Sequence, residues 1–341
     1  MTLPPGTLFD VDFLDRFGLE HPVVQAGMGG GVVRAELAGA VSAAGALGTI
    51  GILAPGRFAA ELRGARERAA GRPVAANLLA PFTRVAHVQA CVDAGAALVV
   101  FHAGIGRRWF TTLREAGIPV FCTVGDLRQA RAALAAGADG LVAQGVEAGG
   151  HLMGTEPLET LLPAVRELDA RIPLLAAGGI ADHADVRRVL VAGADAAISG
   201  TRFLLTEESR AHPAYKERVA GATRTLRTLL FGFGWPLAHR VVPNAATDRW
   251  CSPDGEVPAW LRVTDHMSGP LTRVLPVSAG ALLAARQRVP LPLYGPSLPV
   301  VGMPEDAVER TALYAGETVA KISDVVSASE AVDRLTRPAA S

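Results

Sequence analysis

Residues 139–154 read DGLVAQGVEAGGHLMG, and this stretch joins a short apolar segment to a glycine-rich loop that carries a histidine. Leu141, Val142 and Ala143 run without polar alternation, which is typical of a parallel strand covered on both faces. The glycines that follow allow positive φ and let a flat ligand approach the backbone closely. His151 is the one side chain in this loop that can exchange a proton near neutral pH without a large pKa shift. We therefore predict that this loop belongs to the active site.

The same unit recurs on both sides of this stretch. A helix-like run ends in Ala-Gly, a short apolar segment follows, and a glycine-bearing loop comes next, as in SAAGALGTIG (42–51), DAGAALVVFHAG (93–104) and VAGADAAISG (191–200). The predicted strands are Val23–Gln25, Gly48–Ile50, Val74–Leu78, Leu98–Phe101, Val120–Thr123, Leu141–Ala143, Leu174–Ala176 and Ala196–Ser199. Strands that alternate with helices in this number predict an α/β fold, a (β/α)8 TIM barrel. The rival is a doubly wound open sheet, but the loop after the first strand, GMGGG (27–31), lacks the expected dinucleotide-binding pattern.

The composition disfavours several classes of protein. The chain has 341 residues, a formal net charge of +0 and a pI near 7.1, so nothing electrostatic favours nucleic acid or an anionic membrane as a partner. Cys91, Cys122 and Cys251 lie far apart, which argues against a disulfide framework or a zinc site and fits a reducing cytoplasm. No apolar run is long enough for a membrane span, and the first residues do not resemble a signal peptide. We therefore expect a cytoplasmic protein without a metal.

Two loops near the end of the repeat region suit a phosphate. In a TIM barrel, the loops after the seventh and eighth strands usually hold phosphate groups. Here these loops contain Gly178 and Gly179, and Ser199 to Thr201, and both expose backbone N–H groups without large side chains. Asp182 is expected to cap the helix after the seventh strand. Barrel geometry alone therefore predicts a phosphate-bearing ligand at the face that carries the His151 loop.

The repeat ends near residue 205, and the remaining chain has a different character. We expect a helix over Thr206–Ala222, short irregular pieces rich in proline and aromatic residues up to residue 303, and helical spacing again over Glu305–Ile322. The predicted division is a barrel of residues 1–222, completed by residues 304–341, and a smaller substrate or lid domain of residues 223–303.

Several stretches resemble the nitronate monooxygenase (2-nitropropane dioxygenase-like) family of FMN flavoenzymes, which includes the FabK-type enoyl-ACP reductases. The matching pieces run in family order over nearly the whole chain. They include HPVVQAGMGGG (21–31), LAGAVSAAGALGTIG (37–51), VAQGVEAGGHLMG (142–154), LLAAGGI (174–180), ISGTRFL (198–204) and YAGETV (314–319). The combination of an EAGGH loop with AAGGI and SGTRF is specific for this family.

The resemblance implies that FMN lies across the barrel mouth and that His151 is the catalytic base. The implied backbone contacts with the flavin ring are at Ala26, Gly27 and Met28, and the side-chain amides of Asn77 and Gln144 are implied to hydrogen-bond to the cofactor. Gly149 and Gly179 are implied to line the phosphoribityl chain, and Ser199, Gly200 and Thr201 to hold the phosphate. Gly150 and Gly178 are also implied to bind the cofactor.

The implied reaction is the FMN-dependent oxidation of a small-molecule nitronate or nitroalkane by O₂, which gives a carbonyl compound and nitrite. The alternatives are an enoyl-thioester reductase that uses NAD(P)H, an FMN oxidoreductase that acts on a specialised metabolite, and a flavin-binding protein without turnover. The sequence leaves open the physiological substrate, the use of NAD(P)H and whether two copies form a homodimer.

Some single residues also stay open at this stage. Glu147 could orient His151, cap a helix or lie in solvent, and His102 could contact the ligand or pack under the loop. Arg202 could reach a phosphate or pair with an acid elsewhere. Because the chain has only three tyrosines, an aromatic-lined substrate pocket is poorly supported.

Overall fold

The fold is a closed barrel of parallel strands. The computed structural model describes residues 13–272 and 286–338. The strands are β1 Val23–Gln25, β2 Gly48–Gly51, β3 Val74–Leu79, β4 Val99–His102, β5 Val120–Val124, β6 Gly140–Gln144, β7 Gly150–His151, β8 Leu174–Ala177, β9 Ala196–Ser199, β10 Leu226–Thr228 and β11 His239–Val241. The main sheet has eight strands in the order β1-β9-β8-β6-β5-β4-β3-β2. A parallel bridge between Val24 and Leu47 closes it.

The prediction of a (β/α)8 barrel is confirmed, and the doubly wound alternative is wrong. Each predicted strand lies within one residue or so of an observed barrel strand. The strands could be found because their residues are buried almost without exception, as in β5, where all five are buried. Burial on both faces removes the polar alternation of a half-exposed strand.

Helices connect the strands on the outside of the barrel. They are α1 Phe13–Phe17, α2 Ala35–Ala43, α3 Pro55–Arg68, α4 Val85–Ala94, α5 Phe110–Glu115, α6 Leu127–Ala135, α7 Leu158–Arg166, α8 His183–Val191, α9 Thr201–Leu204, α10 Pro213–Ala220, α11 Ala245–Trp250, α12 Ala259–Thr272 and α13 Ala328–Thr336. The predicted cap at Asp182 is confirmed, because its Oδ1 accepts a hydrogen bond from the N–H of Asp185 at 2.9 Å.

Aromatic side chains fill the barrel from its N-terminal end. Phe13 and Phe17 of α1 lie with their ring centroids 4.8 Å apart and 6.4 and 6.5 Å from the ring of Phe121 in β5. Gly140 of β6 makes room for this ring, since a Cβ there would lie 2.4 Å from its Cζ atom. With this end packed, the loops at the carboxyl ends of the strands form the face available for a ligand.

Beyond the barrel the sequence was less informative. The predicted helix over Thr206–Ala222 is limited to α10, which Pro213 begins. The interpretation of residues 223–303 as short irregular pieces is wrong for α12, which has 14 residues. Proline and glycine are absent from residues 259–268, so this stretch could form a helix. The part of the predicted lid at residues 273–285 lies outside the described residues, as do residues 1–12 and 339–341 of the predicted barrel.

The prediction of continuous helix over Glu305–Ile322 is wrong. Two short 3₁₀ helices form instead, at Glu305–Glu309 and Glu317–Lys321. The chain between them runs beside β11, where Val242 N donates to Leu313 O at 2.8 Å. Pairing with β11 therefore overrides the local helical preference.

We predict that Leu335→Ala destabilises the barrel. Leu335 in α13 is fully buried in the core, against which α2 and α8 also pack. The substitution should lower the free energy of unfolding by about 2–5 kcal/mol through lost apolar contact and a residual cavity. Chemical denaturation followed by circular dichroism measures this. The matched control is Val325→Ala, at a side chain that is 42% exposed, and an equal effect of both changes would contradict the packing role.

Candidate active site

The loop that carries His151 is held in place by a second, smaller sheet. β7 pairs with β11, with His151 opposite His239, and β11 pairs with β10. Leu152 N donates to Ala238 O at 2.8 Å and continues this pairing. The amide of Gln144, the last residue of β6, bridges the base of the loop: it accepts from Met153 N at 2.8 Å and donates to His151 O at 3.1 Å. The histidine therefore has a fixed position at the carboxyl end of β6.

Glu147 serves as a helix cap. Both of its carboxylate oxygens lie 3.1 Å from the N–H of Leu158, the first residue of α7. Of the roles left open for this residue, the geometry favours the cap. The loop also packs tightly on the C-terminal segment, since a Cβ at Gly149 would lie 2.6 Å from the carbonyl carbon of Ala315.

Aromatic rings surround His151. The indole of Trp235 stacks on the imidazole with centroids 3.8 Å apart and an angle of 21° between the planes. The rings of His239 and Tyr314 each lie 5.4 Å from His151. The ring of Phe82 meets that of Trp235 edge-to-face with centroids 5.5 Å apart. The expectation that an aromatic lining is poorly supported is therefore wrong.

Sequence reasoning missed Trp235 and Tyr314 as neighbours of the histidine. Trp235 lies in the region without repeats, and Tyr314 lies in a stretch that we expected to be helical. The Tyr314 backbone carbonyl accepts a hydrogen bond from the Tyr215 hydroxyl at 2.7 Å, which fixes this part of the chain. The family motif YAGETV was the one sequence feature that could have pointed to Tyr314.

Burial keeps the histidines of the site neutral. Desolvation lowers the pKa of His151 well below its ordinary value of 6.5, and the neighbouring His239 and His102 lower it further. Desolvation likewise lowers the pKa of His102 and that of His239 to about 4. His239 is satisfied as a neutral ring, since its Nδ1 faces Leu237 O at 3.0 Å and its Nε2 accepts from Phe231 N at 3.2 Å. His102 lies close enough to His151 to lower its pKa.

Two buried polar atoms at the site have no hydrogen-bond partner among the described residues. These are Nε2 of His151 and the hydroxyl oxygen of Tyr314. Burial raises the pKa of Tyr314, so its hydroxyl stays protonated and can donate. A buried polar atom without a partner costs free energy, and a bound ligand can remove that cost. A neutral imidazole nitrogen and a phenolic donor are therefore available to a substrate.

The residues implied in flavin binding lie in the barrel strands or in the loops that follow their carboxyl ends. Ala26 to Met28 follow β1, and Asn77 lies within β3 and donates to Val100 O at 3.3 Å. Gly27 lies so close to Asn77 that a Cβ on the glycine would be 2.3 Å from the Cβ of the asparagine. Gln144 is already engaged within the His151 loop, and its contact with a cofactor stays a prediction.

The two phosphate loops lie side by side, because β8 pairs with β9. Gly178 and Gly179 have φ values of +113° and +68°, which favour glycine. In the part of the chain that the structure describes, the backbone N–H groups of Gly179, Gly200 and Thr201 donate to no acceptor. These loops therefore fit an anionic group through main-chain donors.

The polar side chains beside these loops are engaged with other groups of the protein. The Ser199 hydroxyl donates to Ile180 O at 2.9 Å, and the Thr201 hydroxyl accepts from Gly316 N at 2.9 Å. Arg202 pairs with Asp324 at 2.9 Å, which answers the question left open for this residue. Within residues 13–272 and 286–338, no group of three or more His, Cys, Asp or Glu side chains could hold a metal ion, and no helix is long and apolar enough to cross a membrane.

A comparison with protein families matches one family. The model described as nitronate monooxygenase matches residues 12–89 and 81–232, which is more than half of the chain. The matched residues include all barrel strands, the His151 loop and both phosphate loops.

Two curated relatives differ in the reaction that their names describe. The (3aS,4S,5R,7aS)-5-hydroxy-7a-methyl-1-oxo-octahydro-1H-indene-4-carboxyl-CoA dehydrogenase of Mycobacterium tuberculosis is 34% identical over 69% of this chain and 66% of its own length. The nitronate monooxygenase of Pseudomonas aeruginosa is 36% identical over 63% of this chain and 76% of its own length. The relatives therefore agree on the oxidoreductase class and differ in substrate.

Two similar solved structures likewise belong to proteins whose names describe different reactions. FabK from Thermotoga maritima superposes with a TM-score of 0.74 at 26% identity, covering 94% of this chain and 93% of its own. A nitroalkane oxidase from Streptomyces ansochromogenes superposes with a TM-score of 0.73 at 29% identity, covering 95% of this chain and 96% of its own. The likeness extends over nearly the whole chain, including the region outside the barrel.

We predict that the buried histidines make the protein acid-sensitive. His102, His151 and His239 bind protons more readily in the unfolded chain than in the folded one. The stability that their neutral forms contribute is therefore fully present above pH 6.5 and is lost as the pH drops toward about 4. Each histidine contributes a slope of up to about 1.4 kcal/mol per pH unit in this window. Denaturation at a series of pH values measures the slope. His239→Asn, which keeps a donor and an acceptor, should show a shallower slope, and an unchanged slope would contradict the assignment.

Proposed function

We propose that this chain, which belongs to the nitronate monooxygenase family, uses O₂ to oxidise nitronates and the nitroalkanes that give them. The products would be a carbonyl compound and nitrite, and the cofactor would be FMN. Members of this family are flavin-dependent oxidoreductases, and this chain is an oxidoreductase of that kind.

One observation carries the proposal. His151 is neutral, and its Nε2 is buried at the barrel mouth without a partner among the described residues. A base that removes a proton from carbon must be unprotonated at the working pH and must not be occupied by another donor. His151 meets both conditions, and stacking on Trp235 at 3.8 Å fixes its orientation.

The surrounding residues fit FMN. Its phosphate would bind the free main-chain donors of the loops at Gly178–Gly179 and Ser199–Thr201, and the backbone at Ala26–Met28 would face the ring. When bound, the flavin supplies the redox chemistry, taking electrons from the substrate and passing them to O₂. Gly149 and Gly150 would lie along the connecting chain, and Asn77 would offer its amide.

The protein's own part in the reaction is proton transfer and the stabilisation of charge. His151 Nε2 takes the proton from the carbon beside the nitro group, and the imidazolium that forms lies next to the anionic nitronate. The Tyr314 hydroxyl is available to donate to an oxygen of the nitro group. The rings of Trp235 and Phe82 exclude water on one side, which strengthens both interactions.

We also propose that the segment 223–303 influences substrate choice. Trp235 and His239 come from this segment and flank the base at 3.8 and 5.4 Å. The division of the chain into a barrel and a smaller substrate domain is part of this proposal.

The first prediction concerns electron transfer. Under anaerobic conditions, an alkyl nitronate alone should bleach the flavin absorbance, and admitting air should restore it. Visible spectroscopy follows both steps. The control is the corresponding alkane, which lacks the nitro group. Rapid bleaching by NADH or NADPH alone, with none by nitronate, would contradict the proposal.

The second prediction separates proton removal from oxidation. His151→Ala should reduce turnover of neutral nitroalkanes by about 10²–10⁴-fold, because the base is lost, but should affect preformed nitronates much less. Steady-state kinetics on both substrate forms measures the difference. His21→Ala serves as the control, since His21 lies before β1 at the other end of the barrel. Equal losses on both forms would exclude the base role.

An enoyl-thioester reductase that uses NAD(P)H is the second candidate. The TM-score of 0.74 to FabK over 94% of this chain favours it. In that reaction the same His151 nitrogen and Tyr314 hydroxyl would face a thioester instead of a nitro group. The anaerobic experiment above distinguishes the two candidates.

A further inference from the structure

Two loops at the barrel mouth bring three arginines to one rim. The loop after β3 carries Arg84, and the connection after β4 carries Arg107 and Arg108 in the short 3₁₀ helix Arg107–Trp109. The guanidinium of Arg108 joins the loops, because its Nη2 donates to Thr83 O at 3.2 Å. All three arginines are exposed. We call Arg84, Arg107 and Arg108 the arginine rim.

The arginine rim has no acidic partners in the described part of the chain. None of its members forms an ion pair there, whereas several other arginines do, such as Arg34 with Glu61 at 2.7 Å. Arg108 instead stacks over the ring of Trp109 at 4.5 Å. Exposed cations without counter-charges on neighbouring connections give this rim a positive potential, which attracts anions.

The rim is connected to the candidate active site by aromatic contacts. Phe82 directly precedes Thr83, the residue that Arg108 contacts, and its ring meets Trp235 at 5.5 Å. Trp235 in turn stacks on His151. A ligand with its reacting end at His151 could therefore extend past Trp235 and Phe82 and end at the arginines.

The backbone that presents the rim is unusual. Ala103, directly after His102 at the end of β4, has φ +58°, a conformation that costs free energy for a residue with a side chain. Gly104 and Gly106 also have positive φ, at +132° and +65°. The loop thus turns sharply between the active-site end of β4 and Arg107.

We infer that the arginine rim binds the phosphates of a phosphorylated adenosine arm, carried by a substrate or co-substrate whose reacting end lies at His151. Guanidinium groups bind phosphate through paired hydrogen bonds, and three of them suit a group with several negative charges better than a single carboxylate. A CoA thioester and NADPH both carry such an arm. Oxidation of a small nitronate does not need this site, so the inference goes beyond the proposed function.

The test measures binding without turnover. Isothermal titration calorimetry with the full chain, in saturating FMN, would use 3′,5′-ADP as the probe for a CoA arm and 2′,5′-ADP as the probe for an NADPH arm. Saturating FMN keeps the probes out of the phosphate loops at Gly178–Gly179 and Ser199–Thr201. The test variant is Arg84→Gln with Arg107→Gln. Arg108 is left intact because its contacts with Thr83 and Trp109 hold the loops together.

The matched control removes the same charge elsewhere. Arg63→Gln with Arg131→Gln changes two exposed arginines on α3 and α6 that form no ion pair among the described residues. We expect at least one probe to bind the wild type and the control equally, and the rim variant to bind it at least about tenfold more weakly, as loss of a charge-assisted hydrogen bond implies. The probe that binds more tightly identifies the source of the arm.

Two results would overturn the inference. One is the absence of binding of either probe to the wild type at millimolar concentration, and the other is equal weakening in the control and the rim variant. Neither depends on whether nitronate bleaches the flavin, so failure of the proposed function and failure of this inference can be told apart.

Discussion

The pairing of β7 with β11 is the interaction on which the candidate site depends. Residues 145–154 contain four glycines and have little intrinsic preference for one conformation. The antiparallel pairing of His151 with His239 gives this loop a defined path. Arg240 strengthens the pairing, since its guanidinium donates twice to Val146 O, at 3.0 and 2.7 Å, and pairs with Glu317 at 2.7 Å. The chain outside the barrel thus fixes a residue that the barrel itself carries.

The same arrangement explains why neutral histidines accumulate here. Each new layer over the loop, from β11, from Trp235 and from Tyr314, removes water from the imidazole of His151. Desolvation opposes protonation more strongly as the layers close. At low pH these histidines lower the stability of the folded state. At neutral pH they leave His151 as a base that is unprotonated and held in one orientation.

The barrel could be predicted from the sequence because each strand, helix cap and loop is determined by a short stretch of neighbouring residues. Strand β9 matched its prediction to the residue, since the short apolar run Ala196–Ile198 between two glycine-bearing turns has few alternatives in a βα unit. The cap at Asp182 was equally readable. The phosphate loops followed from barrel geometry, although which N–H groups stay free became visible only in the structure.

The surroundings of His151 could not be predicted in the same way. Trp235 lies just before β11 and contacts a histidine 84 residues away in the chain, and such a contact leaves no periodicity in either segment. The failed helix at Glu305–Ile322 has the same origin, because its middle residues are drawn beside β11. Family motifs named the histidine and the glycines, but Trp235 and His239, which flank the histidine, come from the region where the motifs match least.

The stack of Trp235 on His151 has a consequence for stereochemistry. One face of the imidazole is covered at 3.8 Å, and Tyr314 and His239 crowd the ring from other directions. Because the lone pair of Nε2 lies in the plane of the ring, a carbon acid that gives it a proton must approach in that plane, past these neighbours. When that carbon bears two enantiotopic hydrogens, the base reaches one of them and not the other. An aromatic contact that serves to fix and desolvate a histidine would thereby make proton removal enantioselective.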